Sequence, residues 1–240
     1  LYDGINWLQI GVDSTAQLIQ PQVDNPRSMG KIIIYGTSIQ QGGCASRTGM
    51  VPSAMIQRDF NLECVNLATS GQARMDFYIA EAMASIEDAI CYVIDPVPNC
   101  TKDRCDTATY DFINILRTLR PEVPIVMVEG LMYPYTRHDS YHAEYLPQKN
   151  ECFRRGFDQH VAENPKGMYY MTHEGQTGPD MEGTVDGVHL TDYGFRAYAD
   201  LLEIVVKEAL DDTDVDYDVE PAYNVVRKKT FWQRLMDLFQ

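Results

Sequence analysis

Five short apolar runs, spaced along the chain and without clean polar alternation, constrain what it can fold into more than any other feature. They are KIIIY (31–35), ECVNLA (63–68), AICYVI (89–94), PIVMV (124–128) and MYYM (168–171). Val, Ile and Tyr enrichment of this kind marks strands covered on both faces. Helix-like stretches at 51–59, 75–87, 107–119 and 147–163 separate them, and another at 191–210 follows the last run. Strands alternating with helices imply a parallel sheet built with right-handed crossovers. The expectation is a three-layer, doubly wound α/β domain with five parallel strands over residues 27–210.

The flanks differ. Ile5, Trp7, Leu8, Ile10 and Val12 suggest one short strand within residues 1–26, before a Gln/Pro/Asp/Asn stretch. We read this region as a leader or linker packed on something else. At the other end, the acidic segment 211–220 precedes FWQRLMDLF, which reads as an amphipathic C-terminal helix, docked on its own domain or used in self-association. The net charge of −15 argues against nucleic acid as a partner, because phosphate binding needs a basic face. No run approaches the ~18–20 uninterrupted apolar residues of a membrane span. The first residue is Leu1 and no export-signal pattern opens the chain, so a processed protein is the simplest account.

In an open parallel sheet, ligands bind beyond the carboxyl ends of the strands. Four segments should converge there: Gly36-Thr37-Ser38-Ile39-Gln40-Gln41-Gly42-Gly43, Thr69-Ser70-Gly71-Gln72, Asp95-Pro96-Val97-Pro98-Asn99, and Asp186-Gly187-Val188-His189-Leu190-Thr191-Asp192. A serine hydroxyl is a poor nucleophile until a base takes its proton. His189 can be that base for Ser38, and Asp186 can hold the imidazole in the right tautomer. The oxyanion of an acyl transfer needs preorganised donors. Ser38 N–H, Gly71 N–H and the Asn99 amide are the candidates. Loop residues Gln40, Glu129, Tyr133 and Arg137 are candidate substrate contacts on position alone.

Ser38, Gly71, Asn99 and His189, in this order, resemble the SGNH (GDSL-like) hydrolase superfamily, over about residues 30–210. YGTSIQQGGCASR is similar to the opening block of the GDSL-like lipase/acylhydrolases of carbohydrate-degrading bacteria, DPVPN to the third and DGVHLTDYG to the last. The resemblance implies a flavodoxin-like fold and a serine esterase with the triad Ser38, Asp186 and His189. It further implies short acyl groups on carbohydrates as substrates, no cofactor and no metal, and a periplasmic or secreted location. Thr37 stands where these enzymes usually carry Asp, so that residue's helix-anchoring role does not transfer. In this branch a β-sandwich module often precedes the catalytic domain and ends in a segment like LYDGINWLQIGV, so residues 1–26 could be its tail.

Other readings compete at each point. Ser38 could merely cap a helix, Ser70 is a rival nucleophile, and Asp186 and Asn99 could be turn residues. Asn99-Cys100-Thr101 matches a glycosylation sequon that would block the proposed site, so we read the match as coincidence. His138 and His142, four apart, could bind zinc, which would make a metallohydrolase. A lipid acylhydrolase or thioesterase would use the same triad, and a non-catalytic carbohydrate-binding domain could retain the fold. Cys100 and Cys105 are close enough for a local bridge, but six cysteines leave the pairing open. Cys64 and Cys91 read as small buried hydrophobes.

Overall fold

The structure, a computed structural model, describes residues 6–20 and 29–213. The five apolar runs form strands β1 (Lys31–Gly36), β2 (Glu63–Asn66), β3 (Ala89–Asp95), β4 (Ile125–Val128) and β5 (Met168–Met171). All pair in parallel, in the order β2-β1-β3-β4-β5. β1 is covered on both faces, and Ile32, Ile33 and Ile34 are fully buried. Ile32 and Ile34 pack with Cys91, Val93, Val126 and Val128 beneath α2 (Pro52–Phe60) and α6 (Asp192–Asp211). Ile33 and Tyr35 pack with Tyr92, Ile94, Ile125 and Met127 beneath α3 (Phe77–Ala84), α4 (Lys102–Leu119) and α5 (Ser140–Glu163). This is the expected three-layer α/β arrangement. The chain steps from β1 outward to β2, then returns across β1 to β3. The crevice at that reversal is where sheets of this class bind ligands.

Caps explain where the helices depart from the sequence expectation. α4 begins at Lys102 rather than 107 because the Thr101 side chain accepts a hydrogen bond from Arg104 N at 3.1 Å. α5 begins at Ser140 rather than 147, because Asp139 caps it through His142 N at 3.0 Å. It carries Pro147 inside, although proline alone favours a first turn. The segment from His138 to His142 is therefore a helix start, not wholly a loop. β2 is shorter than expected, but Leu67 N and Thr69 N still donate to Ile34 O and Gly36 O, so the chain keeps company with β1 to residue 69.

One expectation fails. Residues 6–20 contain no strand; the Asp13 side chain accepts from Thr15 N in a turn, and Trp7, Leu8 and Ile10 are at least 70% exposed. A strand needs a ladder partner, and none of the described residues supplies one. The C-terminal helix read from FWQRLMDLF lies outside the described residues.

A buried polar triangle locks the crevice from below. Asp95, the last residue of β3 and aligned with Gly36 of β1, is fully buried. Its Oδ2 accepts from Tyr198 Oη of α6 at 2.8 Å and from Gln40 Nε2 at 3.0 Å. Gln40 Nε2 also lies 2.7 Å from Tyr198 Oη, which closes the triangle. Burial pushes the Asp95 carboxyl up to about 7, and the two hydrogen bonds only partly offset this. Between its ordinary value, near 4, and about 7, folded Asp95 keeps a proton that the unfolded chain has lost. The stability it contributes is therefore complete below that window and falls as pH rises through it. Asp95→Asn carries no titrating proton. Urea unfolding between pH 4.5 and 7.5 should show wild type losing stability relative to this variant as pH rises; a pH-independent difference would contradict the assignment.

Candidate active site

Ser38 opens a single helical turn, α1 (Ser38–Gln41), directly beyond β1. Thr37 sits in extended backbone and its Oγ1 accepts from Ile39 N at 3.3 Å, so threonine caps this turn where the resembled enzymes use aspartate. The turn stops at Gly42, which is left-handed (φ +92°); a Cβ there would meet Val51 Cγ1 at 2.1 Å. Gly42 N and Gly43 N both donate to Ser38 O, at 3.0 and 2.7 Å. The serine backbone is thus tied down on both sides.

Ser38 Oγ lies 3.0 Å from His189 Nε2, and His189 Nδ1 lies 2.7 Å from Asp186 Oδ2. With the ring proton on Nδ1 facing the carboxylate, Nε2 is left to accept the serine proton. Asp186 Oδ1 also accepts from Val188 N and His189 N, at 2.9 and 2.7 Å. The aspartate is both the turn residue and the partner of the imidazole. Its bonds from the His189 ring and backbone hold its carboxyl well below the usual carboxylate range, so it is ionised at neutral pH. The loop is closed by Val185 N donating to His189 O at 2.8 Å and by the antiparallel bridge Thr184–Leu190.

The two other predicted segments have the chemistry of an anion cradle. Gly71 is left-handed (φ +71°), and the space where its Cβ would stand is open to 4 Å. Its loop is anchored by Ser70 N donating to Gln41 Oε1 at 2.7 Å. Asn99 is half-buried and its Oδ1 accepts from Ala73 N at 3.4 Å, which turns its Nδ2 hydrogens away from Ala73. Among the described residues, neither Ser38 N nor Gly71 N has an acceptor. Ser70, the rival nucleophile, has no base hydrogen-bonded to its hydroxyl among the described residues.

The candidate substrate contacts separate into distinct environments. Gln40 is fully buried and committed to Asp95 and Tyr198, so it braces the serine turn from below and is not offered to a ligand. Glu129 is buried and accepts from His173 N and Nδ1 at 3.0 and 2.7 Å; that bond raises the His173 imidazole above its ordinary value despite partial burial. Tyr133 is buried too, and it stacks on Tyr135 with ring centroids 5.5 Å apart. Arg137 is exposed on the 3-10 turn Pro134–Arg137. His142 Nδ1 lies 2.6 Å from Asp139 Oδ2, as part of the cap of α5. Cys100 and Cys105 are both buried with facing thiols, which are free.

Several residues stayed hidden in the sequence. Tyr198 and Asp95 carried only a weak signal: a lone carboxylate closing an apolar strand, and a tyrosine on the apolar face of a helix. Asp192 accepts from Ser46 N at 3.0 Å and pairs with Arg47 at 3.4 Å, so it clamps the loop after Ser38 to the helix after His189. Tyr135 contributes an edge of the crevice, since a Cβ on Gly187 would meet its ring at 3.3 Å. From Tyr135 an aromatic run continues outward: His142 at 5.4 Å, Tyr141 at 5.1 Å from His142, and Tyr145 stacked on Tyr141 at 5.5 Å.

Known structures share this fold. A GDSL-like lipase structure from Bacteroides ovatus ATCC 8483 is 30% identical, with a TM-score of 0.74 over 81% of this chain. The present chain spans only 56% of that one. The salicylyl-acyltransferase SsfX3 of a tetracycline biosynthetic pathway is 17% identical, with a TM-score of 0.65 over 85% of this chain and 60% of its own. A family two carbohydrate esterase from Clostridium thermocellum, in complex with cellohexaose, is 17% identical, with a TM-score of 0.60 over 82% of this chain and 68% of its own. The last two show likeness of fold alone. No curated protein matches the chain. Residues 29–207, which include all four of the segments expected to converge, match the GDSL-like lipase/acylhydrolase family, and the chain is a member of it.

Proposed function

We propose that this protein is a serine esterase that removes short acyl groups, acetyl above all, from carbohydrates through an acyl-enzyme on Ser38. The observation that carries this reading is the relay from Ser38 Oγ to His189 Nε2 at 3.0 Å and from Nδ1 to Asp186 at 2.7 Å. In the first step Ser38 Oγ bonds to the ester carbonyl carbon while its proton passes to His189 Nε2. Asp186 stabilises the resulting imidazolium. The carbonyl oxygen becomes an oxyanion that receives Ser38 N–H, Gly71 N–H and Asn99 Nδ2. The alcohol leaves with the His189 proton. Water, deprotonated by the same ring, then attacks the acyl-serine and frees the acid.

A carbohydrate alcohol is supported by the aromatic run beside the His189 loop. Tyr135 borders that loop, and Tyr141, 65% exposed, offers a flat face further out. Such rings present an apolar face with a polar edge, which suits a sugar ring. Arg137 adds an exposed hydrogen-bond donor on the same turn. We further propose action outside the cytoplasm, in keeping with a carbohydrate-polymer substrate. No helix among the described residues is long and apolar enough to cross a membrane.

Ser38→Ala should fold normally and lose about 10⁶-fold in kcat, as removal of a triad serine does elsewhere. A fluorophosphonate probe should label wild type at Ser38; labelling at Ser70 or a cysteine, read by peptide mass spectrometry, would displace it. Asn99→Ala should lower kcat by about 10²–10³-fold with little change in KM if its amide serves the oxyanion. An unchanged kcat would remove it from the mechanism.

Substrate choice is tested by kcat/KM for acetyl, butyryl and octanoyl p-nitrophenyl esters, followed by acetate release from acetylated oligosaccharides. The expected order is acetyl first. Tyr141→Ala should raise KM several-fold on the oligosaccharide and leave p-nitrophenyl acetate untouched. Octanoyl preference with no acetate released from any sugar ester would establish a lipid acylhydrolase instead.

A further inference from the structure

Cys44 lies six residues beyond Ser38, and its backbone is left-handed (φ +70°), a conformation that a side chain with a Cβ rarely adopts. Anchors on both sides hold it there. Gly43 N donates to Ser38 O at 2.7 Å and Ala45 N to Gly42 O at 3.1 Å; Ser46 N then donates to Asp192 Oδ1 at 3.0 Å. Asp192 stands three residues after His189, so the clamp brings the cysteine loop against the Asp186–His189 loop. The result is a group of three ligand atoms, the Cys44 thiol sulfur, an Asp186 carboxylate oxygen and a His189 ring nitrogen, all within 4.8 Å of one another.

Those three donors differ in kind from an ordinary acidic surface cluster. Thiolate, imidazole and carboxylate together are the set that zinc prefers, and the sulfur selects against magnesium and calcium. A tetrahedral zinc with bonds of about 2.0–2.3 Å sets its ligand atoms about 3.3–3.8 Å apart, so closing the present group requires movements of ~1.5 Å at most. Cys44 and Asp186 are exposed, which leaves an entry path and room for a water in the fourth position.

We propose that Cys44, Asp186 and His189 form a binding site for a thiophilic divalent cation, zinc above all, whose occupancy withdraws His189 from serine chemistry. Binding forms a metal–sulfur bond and releases the thiol proton to solvent. It also takes a lone pair of the imidazole. Coordination through Nε2 removes the acceptor of the Ser38 proton; coordination through Nδ1 breaks the bond to Asp186 and shifts the ring proton to Nε2, which can then no longer accept from Ser38. Either way the serine loses its base, reversibly. The inhibition rests on the serine-esterase reading, whereas the metal site itself does not.

Two measurements keep those apart. Cobalt(II) titrated into the reduced protein should give a thiolate-to-cobalt absorption band that Cys44→Ala and His189→Ala both lack. The described residues hold one other group of this kind, Glu129, His173 and Glu174, which has no sulfur and cannot produce that band. Zinc should inhibit ester turnover in wild type at a concentration at least tenfold below that needed in Cys44→Ala or Cys44→Ser, and a chelator should restore it. The Cys44 variants should keep wild-type turnover without metal. A wild-type protein with no thiolate band, or a band and zinc sensitivity unchanged in Cys44→Ala, would overturn the proposal. If no ester is turned over by any variant, the cobalt spectrum alone decides the site, and the esterase reading fails separately.

Discussion

Asp95 is the point on which the crevice depends. A carboxyl group with no exposed surface costs free energy unless its oxygens are matched. Here one oxygen collects both the Tyr198 hydroxyl and the Gln40 amide. Each partner belongs to a different part of the site. Gln40 is on the turn that carries Ser38, Tyr198 is on the helix that follows His189, and Asp95 closes the strand that leads to Asn99. Three chain segments far apart in sequence are therefore registered against a single buried atom. The raised proton affinity of Asp95 is a consequence of that burial.

Above this buried brace, the site becomes progressively more open. Ser38 and Asn99 are largely or partly enclosed, while Asp186 and Gly71 face solvent. The imidazole between them is oriented by hydrogen bonds within its own loop, three of them accepted by Asp186. The same openness lets the Cys44 sulfur share the neighbourhood of the triad. A thiol beside a half-buried histidine and an exposed carboxylate is the basis of the second, competing use proposed above for these groups. That second use follows from the clamp between Asp192 and the Ser46 backbone, which has its own structural purpose.

Local composition was sufficient for much of this. The five strands follow from apolar runs too short for helices, and the parallel sheet follows from the helices between them. The positions of Ser38, Gly71 and Asn99 beyond strand ends follow from the same spacing, while His189 stands in the loop before the last helix and Asp186 three residues before it. Where caps are recorded in nearby side chains, as at Thr101 and Asp139, the true helix starts could have been read; the apolar periodicity alone placed them too late. The apolar alternation in residues 7–12 misled, because a strand is defined by its ladder partner and not by its own side chains.

Other features exist only in three dimensions. Gln40 looked like a cleft residue because it follows the nucleophile, yet the helical turn rotates it inward to Asp95. Glu129 and Tyr133 sit at a strand end, as expected, but their side chains are occupied by His173 and Tyr135. Cys44 had no visible partner in sequence, since 142 residues separate it from Asp186. Sequence determines which chemical groups stand at each strand end, because strand and turn propensities act over a few residues. Which of those groups point together, which are buried as braces and which meet a thiol depend on long-range packing, and only the tertiary structure decides that.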